Sequence, residues 1–377
     1  MSKEGFSRRR FMREVAAGST GAALASLPTV LPGAEAAAPD PPFPATTENY
    51  PLAQPGKGSA VDHLKVVTLD AIPEPHLGKI RSLSSGVEVK FCGSNDEFRR
   101  EVIDAHAIYG DFSRQDLAAA KQLRWIQYAA AGVEGILWPE LVESPVVLTN
   151  MQRIYAPAIS ETVIALMLAL TRHLPQYALQ TREHQWKQLA GLVEISGMTM
   201  GIVGMGGIGS ETAHRAHYGF CMKVLAVDPK PLPKPAPVAE LHSVDWLPQM
   251  VPQVDVLVSA APHTPFSQGM FNEALFRGMK PTAYFINVSR GKLVDTPALG
   301  RALEQGWIAG AGLDVAYKEP LPADDPLWTA PNLIVTCHTS GWSPRTIDRQ
   351  MELFSENVRR YLAGLPLLNV VDKVRGY

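Results

Sequence analysis

From Leu64 onward the chain alternates between short apolar runs and longer mixed segments. "LKVVTLD", "VEVKFC", "AHAIYG", "RWIQYA" and "PVVLTN" are brief and largely apolar, and stretches such as "DEFRREVIDA" separate them. Near-continuous apolar strands alternating with helices predict a parallel sheet covered on both faces. A long apolar segment follows, "SETVIALMLALTRHL", with Ser160 as its expected N-cap and Glu161 favouring the helix dipole. It is apolar on every side, which predicts burial between larger bodies. A second alternation then runs "MTMGIVG", "KVLAVD", "DVLVSAA", "AYFINVS", "AGAGLDV" and "LIVTCH". That predicts six strands, the number in a full dinucleotide-binding sheet. In the last helix Ile347, Met351, Phe354, Val358 and Tyr361 form one apolar stripe that ends at Gly364, so this helix should pack back on the first sheet.

Composition narrows the function classes. The chain has 377 residues, with 35 Lys+Arg against 37 Asp+Glu. A nearly neutral balance argues against a nucleic-acid partner, which calls for a basic stripe. Cys92, Cys221 and Cys337 are too few for a disulfide framework, and no Cys/His spacing suggests a zinc site or any other metal.

The first residues carry a different signal. Arg8, Arg9 and Arg10, with Phe11, Met12 and Arg13, resemble the twin-arginine export consensus. A mild apolar run from Val15 to Leu31 follows, too weak for a stable membrane span, and then the small residues Ala34, Ala36, Ala37 and Ala38 suit a signal peptidase. Residues 1–38 are therefore expected to be an export signal that engages the twin-arginine machinery transiently and directs the chain to the periplasm; an unused signal would leave it cytoplasmic. Residues 39–59 form a Pro-rich linker.

Gly204, Gly206 and Gly209 spell G-x-G-x-x-G between the strand "MGIV" and the helix "GSETAHRA", the context in which this motif binds a dinucleotide. The first glycine permits the tight turn, the second lets a pyrophosphate approach the backbone, and the third lets helix and strand pack closely. Asp228 ends the next strand, where a carboxylate accepts from ribose hydroxyls and repels a 2′-phosphate. The cofactor expected is NAD. The run "PKPLPKPAP" after it reads as a stiff loop.

Three further segments matter together: "INVSRGKLVDTPAL" with Arg290, "AGLDVAYKEPLP" with Asp314 and Glu319, and "NLIVTCHTSG" with His338. Each lies at or after the carboxyl end of an expected strand, where open α/β sheets place ligands. With "GIVGMGGIG", "EPLP" and "PLWTAPNLIVTCH" in the same order, these motifs resemble the D-isomer-specific 2-hydroxyacid dehydrogenases over nearly all of 64–372. The resemblance implies an α/β fold of two Rossmann-like or flavodoxin-like doubly wound parallel-sheet domains separated by a cleft. A substrate domain would span 60–159 and 340–377, an NAD-binding domain 160–339, and the assembly would be a homodimer. It implies interconversion of a D-2-hydroxy acid and a 2-keto acid by hydride transfer. Arg290, Glu319 and His338 would be catalytic, with His338 moving the proton and Glu319 orienting it. The amides of Gly132 and Val133, in "AAAGVEGI", would hold the substrate carboxylate with Arg290. Gly204, Gly206, Gly207, Ile208, Gly209, Asp228, Val288 and Asp314 would line the cofactor, Asp314 beside the nicotinamide. Arg153, Tyr155 and Trp342 are either pocket residues or plain surface.

The pattern has departures. The family usually has Pro where Cys337 stands, and Thr339 and Ser340 replace a small apolar pair; Cys337 is expected to be a buried strand-end thiol. Two alternatives are a non-catalytic NAD- or ligand-sensing module on the same fold, which needs no proton relay, and a formate dehydrogenase, which carries Gln where Glu319 stands.

Overall fold

The computed structural model describes residues 60–377. The expected export signal and linker lie outside the described residues. Two parallel sheets make up the fold. The first comprises β1 (Leu64–Thr68), β2 (Val87–Phe91), β3 (Ala107–Tyr109), β4 (Trp125–Gln127) and β5 (Val147–Thr149), in the order β2-β1-β3-β4-β5. The second comprises β6 (Thr199–Val203), β7 (Lys223–Val227), β8 (Glu240–His242), β9 (Val256–Ser259), β10 (Tyr284–Asn287), β11 (Gly310–Leu313) and β12 (Leu333–Val335). Its order is β12-β11-β10-β9-β6-β7-β8. Neighbouring strands in both sheets run parallel.

The second sheet has seven strands rather than six. The additional one, β8, is a three-residue edge strand paired to β7 through Leu225–Glu240, Ala226–Leu241 and Val227–His242. Its Glu-Leu-His sequence lacks the apolar run that marks a buried strand. Strand order reverses between β6 and β9, so the crevice at their carboxyl ends is the place where such sheets bind ligands.

The connecting helix spans Ala156–Thr171 and begins four residues before the expected cap. Pro157 sits in its first turn, where a missing N–H costs nothing. Ser160 is therefore inside the helix, its hydroxyl donating back to the Pro157 carbonyl at 2.8 Å. Val163, Leu166 and Met167 of this helix join the core of the second sheet with Ile202, Val224 and Ile286. The last helix, Thr346–Leu362, packs on the first sheet: Met351, Phe354 and Val358 are buried with Leu64, Val66 and Trp125. Ile347, at the start of its stripe, is exposed instead. Among the described residues no helix is long and apolar enough to cross a membrane.

Candidate active site

Gly204 leaves β6 at φ 96°, a left-handed conformation natural to glycine, and a Cβ there would lie 2.8 Å from the Ala260 carbonyl oxygen. A Cβ on Gly209 would lie 2.0 Å from the Gly204 carbonyl oxygen, so the helix Gly207–Phe220 can approach β6 only through glycine. Gly206, the N-cap, faces open space and no side chain caps the helix. This cradle of backbone amides at a helix N-terminus fits the pyrophosphate of a dinucleotide. Gly207 and Ile208 form the first turn of that helix. Asp228 follows β7, buried, its Oδ2 accepting from the Met205 amide at 2.7 Å and its Oδ1 from the Lys230 amide at 2.8 Å. It therefore ties the glycine loop to the end of the next strand, a contact the motif alone does not reveal.

Arg153 was also beyond reach of sequence reasoning as more than a pocket candidate. It comes from the segment that enters the connecting helix, with φ 72°, and its stem packs on Gly207: a Cβ there would lie 2.7 Å from Arg153 Cγ. Tyr155 instead donates to the Ala129 carbonyl and accepts from Gln350, and Trp342 is exposed.

Arg290, Glu319 and His338 lie in the loops after β10, β11 and β12. His338 Nδ1 is 2.7 Å from Glu319 Oε2, and Glu319 Oε1 accepts from the Ala316 amide at 3.1 Å. Burial, the largest single influence on the Glu319 carboxyl, works to raise its pKa; the His338 hydrogen bond and charge, the Ala316 amide and the Arg290 charge outweigh it and hold the group below the usual carboxylate range. With Nδ1 engaged, Nε2 is the nitrogen left to exchange a proton with a ligand.

The His338 loop is held from beneath by Asp314. Its Oδ1 accepts from Thr336 Oγ1 at 2.5 Å and from the Thr339 amide at 3.2 Å, its Oδ2 from the Ser340 amide at 3.1 Å, and its carbonyl from the His338 amide at 2.7 Å. His338 itself takes the left-handed conformation, φ 55°. Val288 is buried at the end of β10. Cys337 is exposed, not buried as expected: it follows β12, which is an edge strand of the sheet. Cys92, Cys221 and Cys337 are all free thiols.

Opposite these loops lies the turn after β4. Arg290 Nη2 would be 1.8 Å from a Cβ on Gly132, so the guanidinium rests directly against that glycine. Val133 is buried. Arg290 Nη1 donates to the Ser289 carbonyl at 2.8 Å, and Nε donates to Glu134 Oε1 at 2.5 Å. Glu134 is a residue the sequence reading did not single out. Burial works to raise its pKa, but the charge and hydrogen bond of Arg290 prevail and keep it ionised.

Set against known proteins, a sequence model of the "D-isomer specific 2-hydroxyacid dehydrogenase, NAD binding domain" matches residues 164–340. The glyoxylate reductase of Thermofilum pendens is 32% identical, over 80% of this chain and 92% of that protein. The chain belongs to the D-isomer-specific 2-hydroxyacid dehydrogenase family. The glyoxylate reductase of Korarchaeum cryptofilum is 34% identical over 68% of this chain and 78% of its own length. A family protein from Aeromonas salmonicida superposes with a TM-score of 0.70 at 30% identity, covering 83% of this chain and all of that one. The two-sheet α/β architecture is that of the family. The chain is thus an oxidoreductase that uses a nicotinamide cofactor on 2-hydroxy and 2-keto acids, and the catalytic reading prevails over a purely sensing module.

Proposed function

We propose that this dehydrogenase reduces a small 2-keto acid of the glyoxylate type with NADH, and that it works in the periplasm with a cofactor it rarely releases. The observation that carries the catalytic assignment is the His338–Glu319 pair, in loops that leave the same sheet edge as Arg290. The amides of Gly132 and Val133, unused by other protein groups among the described residues, would bind the substrate carboxylate together with Arg290. As hydride reaches C2, charge grows on the carbonyl oxygen; Arg290 stabilises it and His338 Nε2 delivers the proton. Glu319 fixes the imidazole ring in one orientation through its contact with Nδ1. The nicotinamide supplies the hydride when bound. The similarity to two glyoxylate reductases, 34% and 32% identical, supports a small substrate. Asp228 supports NAD over NADP, since its carboxylate would repel a 2′-phosphate.

The arginine run, apolar stretch and small-residue site of 1–38 support export by the twin-arginine route, which carries folded proteins. A cofactor loaded before export could not readily be replaced outside, so one substrate would reduce it and a second reoxidise it in place. Exposed Leu174, Leu179 and Trp186, on and just after the helix Leu174–Arg182, support a homodimer. The test is a panel of 2-keto acids assayed with NADH on protein purified from periplasm, and an NAD assay on the supernatant after denaturation. Turnover of glyoxylate-sized acids with near-stoichiometric cofactor after dialysis is the expected result. No turnover of any 2-keto acid overturns the substrate reading; an active protein without bound NAD overturns retention.

A further inference from the structure

We propose that Glu134 sets the charge selectivity of this site, admitting monoanionic 2-keto acids and rejecting dianionic ones. The inference rests on the substrate reading above and deepens it. A guanidinium has five N–H donors. In Arg290, one Nη1 hydrogen goes to the Ser289 carbonyl and the Nε hydrogen to Glu134. The Glu134 contact lies on the edge with which an arginine most often grips a carboxylate side-on. Of the three remaining donors two are on Nη2, which rests against Gly132, one of the two residues whose amides are assigned above to the substrate carboxylate. Glu134 Oε2 is close to the same point, 2.6 Å from where a Gly132 Cβ would be.

A substrate carboxylate therefore arrives beside an arginine whose charge is already offset by a carboxylate in contact. One negative charge on the substrate can still be held by the Gly132 and Val133 amides and Nη2. A second meets the ionised Glu134, which has already taken the Nε side of Arg290, while Glu319 is engaged by His338. Like charges this close in a half-buried cleft interact far more strongly than across bulk water. Glu134 and Arg290 are each about one-third exposed, 39% and 32% by side chain, so screening weakens the effect without removing it. The pair also spans the cleft, linking the turn after β4 to the loop after β10.

Oxamate and oxalate make a matched pair of probes. They are nearly isosteric and differ by one charge. Their binding to the NADH-loaded wild-type enzyme and to Glu134→Gln is measured as competitive inhibition of glyoxylate reduction and by calorimetry. Gln keeps an oxygen for Arg290 Nε and removes only the charge. Wild type should bind oxamate more tightly than oxalate. E134Q should tighten oxalate roughly tenfold and oxamate only a few-fold, and lower KM for glyoxylate. A wild-type preference for oxalate, or an unchanged oxalate-to-oxamate ratio in E134Q, overturns the proposal. The wild-type ratio stands as a test even if the variant does not fold. Failure of wild type to reduce glyoxylate would count against the substrate reading instead, while the calorimetric ratio still judges Glu134.

Discussion

His338 Nδ1 lies 2.7 Å from Glu319 Oε2, an imidazole and a carboxylate brought together from loops 19 residues apart (338 − 319). Neither residue needs the other for packing, since both are about one-third exposed, 35% and 38% by side chain. The arrangement leaves Nε2 open to exchange a proton with a ligand, the role proposed above. His338→Ala should lower kcat by at least about 100-fold, the scale of a general acid, with thermal stability nearly unchanged. Arg290→Ala should cost a similar factor if it stabilises the growing oxyanion as proposed. Steady-state kinetics beside a melting curve checks both. Near-normal turnover in either variant removes it from the mechanism.

Glu319 also makes a prediction about pH and stability. Its carboxyl pKa is lower in the folded chain than in the unfolded one. The folded state thus binds fewer protons at this site, and the pairing contributes stability that is present above the unfolded value near 4.5 and lost as pH falls through the folded value. Glu319→Gln cannot titrate. The wild type should be the more stable of the two at neutral pH, by less than about 1 kcal/mol because the pair is partly exposed, and the gap should close in acid as the pH falls below the unfolded value near 4.5. Urea melts of both proteins from pH 3 to 7 measure this. A gap that widens in acid contradicts the assignment.

Much of this was legible in the sequence because the signals were local. The β6-to-helix glycines carry a turn, a close approach and a helix start in six residues, and β1 and β9 are short, largely apolar runs that are buried throughout. Ser160 misled because a Ser-Glu pair looks like a cap, while Pro157 had already opened the helix. β8 escaped because an edge strand need not be apolar. Glu134 escaped for a different reason: its partner is 156 residues away, and an acidic residue in a loop has no local mark to set it apart from solvated surface. The exposure of Cys337 likewise depends on β12 being an edge, a matter of strand order rather than of sequence.

Gly132→Ala tests the carboxylate subsite by shape. Its methyl group would lie 1.8 Å from Arg290 Nη2 and 2.6 Å from Glu134 Oε2, so the guanidinium must be displaced. The core around β4 is untouched by the change. We expect kcat/KM for 2-keto acids to fall at least about 100-fold, with NADH affinity nearly intact. Loss of NADH binding together with activity would point to a general disturbance of the cleft.

Asp314→Asn should act through His338. The carboxylate accepts three hydrogen bonds from the loop 336–340, and an amide presents a donor on one side, so at least one of Thr336 Oγ1, Thr339 N and Ser340 N loses its partner. Because Asp314 is buried, the variant should lose about 1–3 kcal/mol of stability. A merely structural role would stop there. A positioning role adds a fall in kcat with an altered pH profile for keto-acid reduction, since His338 no longer holds one orientation. A kcat and pH profile like the wild type's in the folded variant would confine Asp314 to stability.

Asp228 joins specificity to architecture, and its removal should have two separable effects. Its Oδ2 takes the Met205 amide, in the middle of the glycine loop, and its Oδ1 takes the Lys230 amide. A carboxylate has about four lone-pair sites, so it can accept ribose hydroxyls while keeping both contacts. Asp228→Ala leaves the buried Met205 amide without an acceptor, which should lower the stability of the cofactor-free protein by about 1–3 kcal/mol and loosen the pyrophosphate loop. Affinity for NADH and NADPH should both suffer from that loosening. NADH should suffer more, because only it also loses the ribose hydrogen bonds, whereas NADPH gains relief from charge repulsion. Fluorescence titration of each cofactor should therefore give a NADH-to-NADPH affinity ratio at least about tenfold smaller than in wild type, alongside the lower melting temperature. An unchanged ratio with a lowered melting temperature would assign Asp228 to holding the glycine loop alone, and would place the choice between the two cofactors on other residues of the loop after β7.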